Sequence, residues 1–554
     1  MANNRFIAEV ASQLAPRSLL RDPRLTDGAA LALCSIAGAA AWPMVHDLTW
    51  PVENDLYRDL AAAQSISDGF AGADPAFLGE RWWYNPLVPA VVALIAKVLG
   101  LPLHHAYATL GVYLNVLSPV AFYVMVAVLL SRGAALASLV GFLFLGQLDL
   151  PSWMGATYSP WLWSCNLAQA LFYCSVTLLV MTFRSQRYSL AIAAGVATGL
   201  TFLAHTAPAL ILAGIIVSLA VANVRGRDAG RGSIRLTLSL TSVVCAIALL
   251  TASPFWLSIA SYGAQIKNPA PLQWIAAELT LDRWSELLHA NLGVRGLAAA
   301  AGFVALARFY RPNRAGSRLD LFTWLAVALL GLGYGYLIQV VTLPPLLPSW
   351  HFYFYLQGLQ SVFFGWGVIA ITQALSLLLT RAPRIGAAHP PIVRRGPMAL
   401  VTVGLVVVVA TRYDDYVARV DIVASRSESL RIAEEGAVPV YHWLLEGTRP
   451  TDVVLADQRV GFYAVQTAGR KTISLRALFS NPYVDVKMRA RDADRMFMSL
   501  RRGRVEKFLE TARQYQVKFV VVDSKRDVAA EFAGVLELVA TLPPHRIYAM
   551  RDVQ

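Results

Sequence analysis

Three features of this 554-residue chain predict a polytopic α-helical membrane protein with a small C-terminal α/β soluble domain. Hydrophobic residues make up 56% of it and charged residues only 15%, well below the roughly 25% charged content of ordinary soluble domains. The apolar residues fall in runs long enough to cross a bilayer, and mean hydropathy is +0.50. After Arg412 the composition changes to alternating charged and apolar stretches. Lipid solvates the outer face of a spanning helix, so the polar surface that a soluble fold requires is not needed before that point.

A span takes about 20 mainly apolar residues. On that measure about eleven spans are expected, at 27–46, 107–130, 133–148, 160–183, 188–204, 206–224, 234–260, 292–310, 319–343, 352–380 and 397–411. The first follows a basic stretch with Arg5, Arg17, Arg21 and Arg24 and no small-residue cleavage site, and it reads as a retained span. The net charge is +13 and the pI about 9.6. The basic residues cluster in short loops: Arg184 to Arg187, Arg225 to Arg235, Arg308 to Arg318, and Arg381 to Arg395. Together with the N-terminal segment 1–26, these loops are expected on the cytoplasmic side, facing anionic lipid. Nucleic acid is excluded as a partner on the same pattern.

The opposite loops are aromatic and Pro-rich: Thr49 to Ala106, Asp149 to Ser159, Ser261 to Asn291, and Thr342 to His351. Residues 86–101 are apolar but barely long enough to cross. Counting them as a span would put the later basic loops outside, so a helix lying on the outer surface is expected there. The expected organisation is a membrane module over 27–412, with its first outer loop at 47–106, and an extracytoplasmic domain over 413–554. In that domain Asp452 to Asp457 and Val517 to Asp523 read as buried strands, and Val505 to Tyr515 as an amphipathic helix. The four cysteines, Cys34, Cys165, Cys174 and Cys245, lie in or beside apolar runs and form no CxxC or Cys/His cluster, so neither a zinc site nor a disulfide framework is signalled.

The chemistry-bearing stretch is the first outer loop. It reads Glu53-Asn54-Asp55-Leu56-Tyr57-Arg58-Asp59, then Ser67-Asp68-Gly69, then Glu80-Arg81-Trp82-Trp83-Tyr84-Asn85-Pro86-Leu87. Taken alone, Asp55 reads as a solvated carboxylate or a helix cap. Placed just past the first span, it stands where a lipid head group meets a water-borne acceptor. Asp59 and Asp68 read as solvated or capping residues. Arg81 and the aromatic run after it fit equally well as a membrane-interface anchor. His205 reads as a residue satisfying helix-end carbonyls.

In this stretch Asp55, Tyr57, Gly69 and Tyr84-Asn85-Pro86-Leu87 resemble the first-loop pattern of the GT-C superfamily of membrane glycosyltransferases. The pattern is an acidic residue after the first span, then Tyr and Gly, then an aromatic-Pro element before an apolar helix. The chain departs from the usual Pro-Pro pair, and its Glu-Asn-Asp leaves open which of Glu53 and Asp55 is the base. Gly199 to Thr206 and, in the soluble part, Trp443 to Thr448, Gly469-Arg470-Lys471 and Ser480-Asn481-Pro482-Tyr483 carry further likeness.

The resemblance implies an enzyme that moves a sugar from a polyprenyl-phosphate donor to a glycan, lipid or protein acceptor, with one carboxylate as base and inversion at the anomeric carbon. A phosphate leaving group is weakly basic. It needs no general acid but does need positive charge to hold its developing negative charge, from a cationic side chain or a metal. Arg58, Arg81, Lys267 and His351 are the candidates, with Tyr57 and Tyr84 as further substrate contacts. Some members of the superfamily use a carboxylate of the next outer loop to hold a divalent metal or orient substrate, and others need no metal. Here that residue is Asp149, and Asp55 with Asp149 is the expected pair for Mg²⁺ or Mn²⁺. A transporter or flippase of a lipid-linked substrate and a non-catalytic scaffold are the competing classes. Against the transporter, the halves show no repeat and no paired Gly/Pro-broken helices.

Overall fold

The computed structural model describes residues 23–146, 152, 155–225, 231–263, 265–273, 293–308, 317–341, 343–345, 347–381, 390–421, 433–525 and 528–551. The described chain is a helical bundle with a five-stranded mixed sheet at one end. Helix α1 (Pro23–Ala41) is followed by the short amphipathic α2 (Asn54–Ser67), then by α3 (Leu87–Leu99) and α4 (Leu103–Thr109). The bundle continues with α5 (Gly111–Leu129), α6 (Arg132–Phe144), α7 (Ser164–Ser185), α8 (Tyr188–Ala204), α9 (Thr206–Val224) and α10 (Arg231–Tyr262). It closes with α11 (Val294–Arg308), α12 (Ser317–Val340), α13 (Trp350–Arg381) and α14 (Pro390–Val420).

Among the described residues, seven helices are long and apolar enough to cross a membrane. The remaining expected spans fall on shorter or charge-ended helices. The spans expected at 133–148 and 188–204 correspond to the apolar helices α6 and α8, that at 292–310 overlaps α11 over Val294–Arg308, and residues 397–411 form the middle of the 31-residue α14. The doubtful segment 86–101 is helix α3, which ends at Gly100 in a left-handed cap and turns by 114° into α4. It therefore does not continue as a straight span. Glycine permits close helix contact where α11 crosses α13. A Cβ on Gly302 would collide with the Phe363 carbonyl, and one on Gly367 with the Ala298 carbonyl.

After α14 the chain enters the sheet domain through α15 (Val438–Gly447). Strands β1 (Val453–Leu455), β2 (Lys471–Thr472) and β3 (Val517–Asp523) run parallel. Strands β4 (Leu536–Leu542) and β5 (His545–Met550) close the edge antiparallel, giving the order β2-β1-β3-β5-β4. Helices α16 (Val486–Arg501) and α17 (Val505–Tyr515) cover one face. The apolar runs at 452–457 and 517–523 thus become the central strands, as a buried parallel arrangement requires, and α17 coincides with the amphipathic segment expected there.

The sheet domain is fastened to the first loop by buried polar groups. Arg470, whose side chain is 4% exposed, forms an ion pair with Asp68 at 2.9 Å. Its guanidinium also donates to the carbonyls of Leu445, Thr448 and Ala468. Asp74 accepts from the Ala76 and Phe77 N–H groups and from the Asn481 amide, and Lys471 donates to the Asp74 carbonyl. Burial pushes the Asp74 carboxyl above the usual carboxylate range, against the pull of these donors and of Lys471. Tyr262 and Tyr483 stack with centroids 4.4 Å apart, and the Lys267 and Asn268 N–H groups both donate to the Pro482 carbonyl.

Removing one member of a buried pair leaves the other charge uncompensated. Arg470→Met is therefore expected to lower stability by about 3 kcal/mol. In detergent, thermal unfolding of Arg470→Met, Asp68→Asn and the double variant should show the double variant falling less than the sum of the two single changes.

Candidate active site

Helix α2 starts where the first outer loop turns toward the bundle. Glu53 is its N-cap and accepts from the Asn54 N–H, and Asp55 stands in the first turn. Both carboxylates face the positive end of the helix dipole. Arg58, one turn later, binds two carboxylates at once: its Nη1 lies 2.7 Å from Asp55 and its Nε 2.8 Å from Asp59. The guanidinium also lies over the Tyr84 ring, 3.7 Å from the centroid, in cation–π geometry.

The three charged groups differ in exposure. The Asp55 side chain is 36% exposed, Arg58 11% and Asp59 2%. Only Asp55 of the two carboxylates is open to a substrate. Asp59, expected to be solvated or capping, is buried, and it accepts from Arg58 and from Ser164 at 3.3 Å. Burial pushes its carboxyl up, against the pull of Arg58. Burial also opposes charge on Arg58, but Asp59, Tyr84 and Asp55 together hold its guanidinium well above its ordinary value. Burial raises the Tyr84 hydroxyl as well, so it remains a phenol.

Asp55 and Arg58 open onto a cavity of about 650 Å³, within the range of small-molecule sites. Glu53, Asp55 and Arg58 form one wall. His205 and His351 form another, with ring centroids 4.3 Å apart. Phe255, Trp256 and Ile259 of α10 supply an apolar flank, and Phe479, Pro482 and Tyr483 of the sheet domain form a roof. The Tyr84-Asn85 element is seated by long-range bonds. Asn85 Nδ2 donates to the Phe202 carbonyl at 2.6 Å and to Thr206 Oγ1 at 3.3 Å, which ties the first loop to the break between α8 and α9.

Of the residues singled out from sequence, Glu53, Asp55, Arg58, Tyr84 and His351 line this cavity. Tyr57, Arg81 and Lys267 do not. Tyr57 is 2% exposed and packs between Trp50 and Tyr463, supporting α2 from behind. The Arg81 side chain is exposed, and its backbone pairs with Tyr262 and Asn481. The exposed Lys267 joins the docking of the sheet domain through its N–H. Asp149 lies outside the described residues. His205, read from sequence as a helix-end residue, lies in the cavity wall, and the roof residues reach it from more than 270 positions away in the chain. No local signal marks that convergence.

Among the described residues no group of three His, Cys, Asp or Glu side chains could hold a metal ion. Asp55, the carboxylate expected to bind one, already has the Arg58 cation against it. The described donor set does not fit a divalent metal.

No family model matches the sequence, and no curated protein matches it. Solved structures do. The Archaeoglobus fulgidus oligosaccharyltransferase AglB, in complex with an inhibitory peptide and a dolichol-phosphate, superposes with TM-score 0.56 at 13% identity, over 90% of this chain and 69% of that one. ArnT from Cupriavidus metallidurans bound to undecaprenyl phosphate gives TM-score 0.52 at 14% identity, over 94% of this chain and 98% of that one. The mycobacterial arabinofuranosyltransferase AftD gives 0.54 at 14% identity, over 94% of this chain but 40% of its own.

The chain shares the fold of these three solved structures. The similarity extends over the bundle and the sheet domain together, so the fold includes the placement of the C-terminal domain at the end of the bundle that carries α2. Within this fold Arg58 is the group that keeps two nearby carboxylates compatible. Arg58→Leu is expected to cost about 3–5 kcal/mol, because Asp59 would be left buried without its partner. A second change, Asp59→Leu, should recover a large part of that loss when thermal unfolding of the single and double variants is compared.

Proposed function

We propose that the protein is a glycosyltransferase that moves a sugar from a polyprenyl-phosphate-linked donor to a hydroxyl of a cell-envelope glycan, lipid or protein acceptor. The observation that carries this reading is the meeting, in one cavity, of an accessible carboxylate at a helix N-terminus, a guanidinium and an apolar flank. The GT-C fold supports it, as do the two structural neighbours whose complexes contain dolichol-phosphate and undecaprenyl phosphate. The protein is a multi-pass membrane protein. The fine placement proposed for it is a bacterial plasma membrane, with the N-terminus cytoplasmic and the cavity and residues 413–554 outside.

In the proposed reaction the Asp55 carboxylate accepts the proton of the acceptor hydroxyl while that oxygen attacks the anomeric carbon. The bond between the anomeric carbon and the phosphate oxygen breaks, and the polyprenyl phosphate departs with the bonding pair. One displacement inverts the configuration. Asp55 holds this role in preference to Glu53, because the Glu53 carboxylate caps α2 through the Asn54 N–H. Arg58 fixes the orientation of Asp55 and places positive charge beside the reacting centre. His351 faces the same space, and Tyr84 holds Arg58 from below. The lipid tail would lie against the Phe255, Trp256 and Ile259 flank, which keeps it out of water. No step is routed through a metal, since Asp55 is paired with Arg58.

Asp55→Asn keeps the shape and removes the base. Sugar transfer to acceptor in membranes containing this variant should fall by about 10³-fold, while binding of a polyprenyl phosphate stays within about threefold. Full transfer by a normally inserted Asp55→Asn protein would remove the mechanism.

A further inference from the structure

Tyr483, in the roof of the cavity, stands three residues before Val486, where α16 begins. Helix α16 thus starts at the cavity rim and extends for 16 residues, about 24 Å. Lys487, Arg491, Arg495, Met498 and Arg502 are all exposed. They follow one another at helical spacing and so form one stripe along the helix. Arg495 is paired with Asp492, and Arg491 Nε donates to the Lys487 carbonyl at 3.3 Å. Among the described residues no ion pair holds Lys487, Arg491 or Arg502.

The charge of the sheet domain is concentrated here. Between Val486 and Tyr515 nine Lys and Arg stand against four Asp and Glu, of which Asp492 is buried. The remainder of 433–551 has ten of each sign, so the positive excess lies on α16, α17 and the turn between them. Helix stability does not account for it. Arg501 and Arg502 suit a helix C-terminus, but Lys487 and Arg491, in the first two turns of α16, oppose the helix dipole. The stripe is also turned from the bundle. Val454, Val521 and Ile547 share an apolar core with Leu60 of α2 and Val92 of α3. Val453, Val520 and Val522, on the other face of the sheet, share a second core with Met496 of α16 and Phe508 of α17. The exposed side of α16 therefore faces water and not the spanning helices.

We infer that the exposed face of α16 is a track for an anionic glycan, and that the acceptor of the proposed transfer is such a polymer, with its terminal sugar reaching the cavity under the roof. This deepens the glycosyl-transfer reading and rests on it. A convex stripe of spaced cations fits an extended chain with repeated carboxylate or phosphate groups, whereas a single small anion would need a pocket. Guanidinium groups meet such anions with paired N–H donors. Met498, between Arg495 and Arg502, offers an apolar contact to the carbon face of a sugar ring. Each exposed charge contributes little alone. The contacts act together once the chain end is held in the cavity, because binding along α16 is then intramolecular.

The test uses the full chain in phosphatidylcholine nanodiscs. The probes are an oligogalacturonate long enough to span α16, a malto-oligosaccharide of matched length, polyglutamate, and phosphatidylglycerol vesicles. Oligogalacturonate should bind the native chain, less tightly as ionic strength rises, and the malto-oligosaccharide should not bind in the same concentration range. Lys487→Gln, Arg491→Gln and Arg502→Gln combined should weaken oligogalacturonate binding by about tenfold or more. The same loss of charge elsewhere on the domain, through Arg449→Gln, Lys525→Gln and Arg551→Gln, should leave it within about threefold of native. All six side chains are exposed, and thermal unfolding of both triple variants should match that of the native chain.

Native affinity for oligogalacturonate in the α16 triple variant, or equal affinity of the native chain for the malto-oligosaccharide, would overturn the track. The glycosyltransferase reading would then still stand on the loss of transfer in Asp55→Asn. Polyglutamate bound as tightly as oligogalacturonate would reduce the stripe to unspecific charge and overturn the glycan assignment. Competition by phosphatidylglycerol vesicles that disappears in the α16 triple variant would reassign the stripe to a membrane surface and overturn it likewise. Oligogalacturonate bound by a native chain that transfers no sugar would overturn the acceptor assignment together with the glycosyltransferase reading.

Discussion

The site depends on one guanidinium shared between two carboxylates. Arg58 bonds to Asp55 and Asp59 while resting on the Tyr84 ring. A rigid planar fork can meet both acids at once, whereas an ammonium would act as a point charge. The arrangement separates two carboxylates four residues apart into different roles. Asp59 is buried and structural, bonded also to Ser164, and Asp55 is left partly open at the cavity edge. Because Ser164 opens α7, the same contact registers the loop helix α2 against the first long span behind the cavity. Asp55 is thus fixed to the bundle through Arg58 and Asp59, and its own side chain need not be buried.

The sheet domain completes this constraint from the other side. Tyr463 donates to Asn54, the residue between the two acidic groups at the start of α2, and packs edge-on against Tyr57. Arg470 anchors Asp68 at the other end of α2. The helix that carries the candidate base is therefore held at both termini by residues 402 and 409 positions later in the chain. The same domain supplies the roof through Phe479, Pro482 and Tyr483, so helix placement and roof geometry change together if the domain moves.

Much of this was legible in the sequence, and the boundary between legible and hidden is physical. Apolar runs located the helices because lipid imposes a composition on whole segments. The central strands and α17 were legible because burial on both faces, or on one, sets the period. Asp55 and Arg58 were legible as separate candidates, one as a base and the other as a phosphate contact; that they pair, as residues three apart on a helix can, emerges only in the structure. Asp59 was not, because burial beside Ser164 depends on where α7 starts. His205 was read as an ordinary helix-end residue, and only the meeting of α9 with α13 reveals it as a cavity wall. Arg81 and Lys267 sit in the right loops, but their side chains point away and their backbones dock the sheet domain. Loop membership fixes neither direction. The 31-residue α14 also exceeded its apolar centre at 397–411, because a helix continues into water wherever its backbone bonds remain satisfied.

The charge balance of the cavity follows from the same arrangement. A site that takes a proton needs a carboxylate that is ionised and open, and a strongly cationic environment would weaken it as a base. A site that releases a phosphate needs donors directed at the departing oxygen. These demands conflict if one cation serves both. Here Arg58 is committed to Asp55 and Asp59 and rests on Tyr84, while His205 and His351 stand together in the lining of the same cavity.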